Sequence, residues 1–145
     1  MKRKEPEREI QTTIVKALRD YNDALPDHKR VAFWHVPNGG KRHIRTATKL
    51  KADGVLPGVA DLHFCLPGGK LACLELKSKK GQLSPEQKAF RDTITALQGW
   101  WGVAHSIDEA MGILAAWGCL PSECGRGRSD MSSGRKSKAS LIAAG

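Results

Sequence analysis

The stretch ADLHFCLPGGKLACLELKSKK, residues 60–80, sets two β-prone runs around Pro67-Gly68-Gly69. Successive residues of a strand point to opposite faces. Asp61, His63 and Cys65 therefore share one face of the first run, and Leu62, Phe64 and Leu66 the other. In the second run Leu71, Cys73, Glu75 and Lys77 share a face, opposite Ala72, Leu74 and Leu76. A three-residue loop at 67–69 sets Leu66 against Lys70. The register then sets Cys65 against Leu71, His63 against Cys73 and Asp61 against Glu75. Two carboxylates thus meet across neighbouring strands, about 5 Å apart at Cβ, where like charges destabilise a sheet. A divalent cation is the economical remedy, because Mg²⁺ takes one or two carboxylates and keeps several waters and substrate oxygens. Lys77 adds positive charge on the same face.

Working outward, Ile10, Ile14, Ala17, Leu18 and Tyr21 repeat at helical spacing and predict a helix over about 6–21. VAFWHV at 31–36 predicts a strand, and PNGG at 37–40 a turn. Ile44, Ala47 and Leu50 predict a short basic helix from about Lys41 to Ala52, ended by Gly54. After the hairpin, GQLSPEQ signals a helix start, with Ser84 as N-cap, Pro85 at N1 and Gln87 as capping-box partner. Phe90, Ile94 and Leu97 form the apolar stripe of that helix, and Gly99 is its expected stop. WWGVAHS at 100–106 predicts a strand, and 108–117 a last helix. The order α-β-α-β-β-α-β-α describes a mixed α/β domain with a small central sheet flanked by helices, over residues 1–120. Residues 121–145 form a basic Ser/Gly-rich tail, too poor in apolar residues to offset its ordering entropy, and are expected to be disordered.

The chain has 145 residues, enough for one core. Its 40% hydrophobic and 27% charged content is that of an ordinary globular protein. No apolar run approaches the ~18 residues of a membrane span. MKRKEPEREI begins like a signal peptide but has no apolar region behind it, so the expected location is the cytoplasm. The net charge of +9, from 24 Lys+Arg against 15 Asp+Glu, favours a polyanionic partner. Four cysteines show no C-x-x-C pair and no zinc-finger spacing.

Paired carboxylates, a cation and a lysine suit phosphodiester hydrolysis. A carboxylate-held metal lowers the pKa of its bound water, and a lysine beside it orients that water or neutralises the phosphate. Glu-x-Lys alone carries little information, since Glu86-Gln87-Lys88 repeats it in a helix start. The ordered set is more specific: HVPNGG at 35–40, Lys41-Arg42, PGVAD at 57–61, LELK at 74–77 and GQLSPEQ at 81–87. Together with Glu9 and Gln11 in the first helix, it resembles the VRR-NUC domain family of the PD-(D/E)xK nuclease superfamily, over most of residues 7–110.

The resemblance implies a restriction-endonuclease-like core and an endonuclease dependent on Mg²⁺ or Mn²⁺. The family is commonly found in phage and bacterial proteins and as a module of repair enzymes. By position, Asp61 and Glu75 match the metal-binding acids, Lys77 the catalytic lysine and Glu9 the helix glutamate that completes the site. Gln87 matches a glutamine near the active site, in competition with its capping role. Ala60 stands where the family usually has proline, a change that spares the ligands.

Asn38, Lys41, Arg42 and Arg45 form a candidate phosphate-contacting loop and helix start. His35 and His63 are weaker candidates, read first as packing residues. The strand-borne tryptophans read as core, Trp34 included. The expected partner is DNA, including branched DNA, cut by a homodimer. A catalytically inactive DNA-binding module of the same fold and an RNA-directed nuclease are the alternatives.

Overall fold

The computed structural model describes residues 5–37 and 44–122. A long helix α1 (Glu5–Asp23) leads through a short 3-10 turn (Asp27–Lys29) into strand β1 (Ala32–His35). Helix α2 (Ile44–Ala52) precedes the hairpin of β2 (Leu62–Leu66) and β3 (Lys70–Leu76). Then come α3 (Pro85–Ala96), β4 (Trp100–Ala104) and α4 (Ile107–Ala116). The strands form one sheet in the order β1-β2-β3-β4, antiparallel except for the parallel pair β3–β4 that α3 connects.

The hairpin register is the expected one, with Leu66 against Lys70, Cys65 against Leu71 and His63 against Cys73. Gly68 and Gly69 both take positive φ (85° and 79°), and the Gly69 N–H donates to the Leu66 carbonyl. Period-two alternation then sorts the side chains. Leu62, Phe64, Leu66, Ala72, Leu74 and Leu76 face the larger core, which α1 closes with Ile10, Ile14 and Leu18 and α4 with Ala110 and Leu114. The opposite face holds a smaller cluster of Ala60, Cys73, Phe90 and Ile94 under α3. The sheet is thus sandwiched between α1 and α4 on one side and α3 on the other, and the acid-bearing face is the one beneath α3.

Two sequence expectations need correction. Helix α3 reverses at Gln98 (φ 68°), not at Gly99. Leu97 is the C-cap, the Gln98 N–H bonds to Thr95 and the Gly99 N–H to Ile94, the pattern of a Schellman end. Gly99 is needed for space, since a Cβ there would stand 2.6 Å from Ile94 Cγ2. The second correction is Trp34, which is 46% exposed on an outer strand of the described sheet. Among the described residues no helix is long and apolar enough to cross a membrane.

Candidate active site

The acids gather where the hairpin ladder ends. Its last pair is Leu62–Leu74. One residue before β2, Asp61 bonds to β3 through its side chain, Oδ2 accepting the Leu76 N–H at 2.8 Å. Its carbonyl accepts the Val36 N–H (3.0 Å) and the His35 Nδ1–H (2.7 Å) on the other side. Asp61 is therefore fixed by both neighbouring segments, main chain toward β1 and side chain toward β3.

Glu75 is 4% exposed, the one charged residue buried among those described. A buried carboxylate needs partners. Its Oε1 accepts from Gln87 Nε2 at 2.7 Å and stands 3.5 Å from Lys77 Nζ. The same glutamine closes the capping box of α3: its Oε1 accepts the Ser84 N–H (2.9 Å), while Ser84 Oγ accepts the Gln87 N–H (3.1 Å). The two readings of Gln87 are thus one geometry. A glutamate would complete the same box but set a second carboxylate against Glu75, so the amide is the group that serves both contacts.

The helix acid that joins this pair is Glu7, not Glu9. Glu7 Oε1 accepts the Ser78 N–H at 3.0 Å, and its charge acts on both Asp61 and Glu75. Helical phase explains the choice. Glu7 lies three, seven and eleven residues before Ile10, Ile14 and Leu18, all buried on the docked face of α1. Glu9 is turned about 160° away from Glu7 and is exposed. The signal that finds Glu7 was present in that apolar stripe.

The electrostatics follow from burial. Desolvation raises the Asp61 pKa, the Leu76 hydrogen bond opposes it, Glu7 adds to it, and His35 and Lys77 lower it. Glu75 is pushed up to about 7, first by burial, then by the Asp61 charge, with Lys77 opposing and Glu7 adding to the rise. Three carboxylates act on one another with Lys77 as the opposing charge on Asp61 and Glu75, and the cluster favours additional positive charge. Among the described residues no group of three or more His, Cys, Asp or Glu side chains is placed to hold a metal ion. An oxygen-only donor set with two adjacent carboxylates still suits a hard cation that keeps its waters, and not a thiolate- or imidazole-seeking metal.

Glycine contacts hold the frame. Gly58 (φ 77°) lies so close to the first turn of α3 that an added Cβ would fall 2.3 Å from the Glu86 carbonyl carbon. That approach ties the loop before Asp61 to the helix that carries Gln87. Of the expected phosphate-contacting residues, Asn38, Lys41 and Arg42 and the side chain of Arg45 lie outside the described residues. His63 is wedged between rings, its Nε2 buried without a hydrogen-bond partner.

No protein-family model and no curated protein sequence matches the chain. A solved structure described as a VRR_NUC domain protein is similar to it, with 20% identity, a TM-score of 0.55, and coverage of 77% of this chain and 87% of that one. At that identity the likeness is one of fold. The mixed sheet with helices on both faces accordingly has a restriction-endonuclease-like architecture, shared with a VRR-NUC domain.

Proposed function

We propose that the chain is a metal-dependent nuclease that hydrolyses phosphodiester bonds in DNA. The observation that carries this reading is the gathering of Asp61 and Glu75 beside Lys77, with Glu7 close enough to act on both acids, at the open end of the hairpin. Asp61 and Glu75 would hold Mg²⁺ or Mn²⁺, with Glu7 as the adjoining acid. When bound, such an ion supplies Lewis acidity and an activated water. Gln87 fixes the orientation of the Glu75 carboxylate. Lys77, whose main-chain N–H is anchored to the Ala104 carbonyl at 2.9 Å, places an ammonium beside the acids to neutralise a bound phosphate or orient water. Exposed Lys79 and Lys80 follow it in the chain, and the net charge of +9 suits a phosphate backbone. The intact acids favour catalysis over a purely DNA-holding module. Cutting both strands of a duplex would take two copies.

The test is cleavage of supercoiled plasmid and of matched labelled DNA and RNA strands, with Mg²⁺ or Mn²⁺ added or withheld. Metal-dependent cleavage of DNA is expected, falling roughly 100-fold or more in Asp61→Ala. Glu7→Gln should lose roughly tenfold or more, and Glu9→Gln should match wild type. Equal cleavage by Asp61→Ala would end the nuclease reading, and preferential cleavage of RNA would redirect it.

A further inference from the structure

Four tryptophans occupy the sheet and its helices, and three are packed. Trp117 is 8% exposed, and Trp100 and Trp101 are half-buried. Trp34 differs. It pairs directly with His63, on the sheet face that also carries Asp61 and Glu75. Asp61 lies two residues from His63, the strand partner of Trp34, about 7 Å along the chain at the strand rise, or about two stacked nucleotide steps.

His63 forms the support. Its imidazole stacks on Phe90 of α3 (centroids 5.8 Å, planes 12° apart). It meets the Trp34 indole at 65°, with centroids 5.9 Å apart, so the indole is not covered face to face. Among the described residues the sheet ends at β1, and the indole stands exposed at the rim of the acid-bearing face. Lys79 and Lys80, which follow β3, and Lys88 on α3 are exposed, and Arg91 lies over Trp101 (5.9 Å) while pairing with Asp92 (3.0 Å).

We propose that Trp34 is a stacking platform for an unpaired nucleobase on the strand whose phosphate lies at Asp61 and Glu75. An aromatic face can take a base only when that base has left its duplex stack, so this subsite selects a nucleotide that is single-stranded at the site of reaction. The exposed lysines that follow β3 and lie on α3 suit the phosphate backbone of such a strand. The proposal rests on the nuclease reading only for the position of the phosphate.

The experiment measures binding without metal, so cleavage does not enter it. Fluorescence anisotropy compares a short labelled oligothymidylate with a blunt duplex of the same length, for wild type, Trp34→Phe and Trp34→Ala. Trp34→Ala should weaken single-strand binding roughly 5- to 100-fold, with duplex binding unchanged and Trp34→Phe close to wild type. If the protein proves to cut DNA, Trp34→Ala should raise KM and leave kcat in place. Unchanged single-strand binding by Trp34→Ala overturns the proposal. So does an equal loss on single strand and duplex, or a loss in Trp34→Phe as large as that in Trp34→Ala. A protein that never cuts DNA but shows the single-strand effect refutes the nuclease reading and keeps the platform.

Discussion

Glu75 is held by two polar neighbours, Gln87 and Lys77, and is still pushed up to about 7, because burial and the Asp61 charge outweigh Lys77. Since its folded pKa lies above the ordinary glutamate value of 4.5, its contribution to stability is complete below about 4.5 and is lost as pH rises through about 7. At about 1.4 kcal/mol per pH unit, the loss is on the order of 3 kcal/mol at alkaline pH without added cation. Glu75→Gln keeps the acceptor that Gln87 uses and removes the charge. Urea unfolding in a chelator should therefore find it more stable than wild type at pH 8, with the difference shrinking toward pH 4.5. Wild-type stability independent of pH over that range would contradict the burial argument. Asp61, Glu75 and Lys77 were legible because parity and loop length put them together. Glu7 was missed although Ile10, Ile14 and Leu18 point to its face. The exposure of Trp34 had no signal in the sequence, since an apolar strand residue reads alike at the edge and in the middle of a sheet.

Three helices end in the same hydrogen-bond pattern with different residues at the reversing position. α2 uses Gly54 (φ 90°) and α4 uses Gly118 (φ 78°), but α3 uses Gln98 (φ 68°). A side chain in the left-handed region costs about 1 kcal/mol or more relative to glycine. Gln98→Gly should accordingly raise stability by about 1 kcal/mol in chemical denaturation, since the Gln98 carbonyl that accepts from Lys70 remains. A loss of stability would show that the Gln98 side chain makes a contact of its own. The start of α3 was fully legible, because Ser84, Pro85 and Gln87 each act through local geometry. Its end was not, because Gly99 is fixed by the tertiary approach of Ile94. The side-chain clamp between Asn22 and Val31, with bonds of 2.9 and 3.1 Å, was equally hidden, since it joins the end of α1 to the residue before β1 by packing alone.

The whole molecule builds its acid cluster from α1, the start of β2, the end of β3 and the first turn of α3. A cation bound there by the folded form alone should raise the melting temperature. With millimolar Mn²⁺ at pH 8 a rise of several degrees is expected, shrinking below pH 7 as protons compete at Glu75 and vanishing in Asp61→Ala. The absence of any shift would count against Asp61 and Glu75 as ligands. Fold class was legible from element order and hairpin parity, whereas the division of the helices between the two faces required the packed structure. The bond from Glu7 to Ser78 crosses 71 residues of chain. It forms only once α1 has docked, and α1 docks against β3 and α4. Glu7 thus rides on a helix that is synthesised well before the strand end that receives it. An unpacked chain carries the same carboxylates without their arrangement, so whatever chemistry the cluster performs waits for α1 to seat.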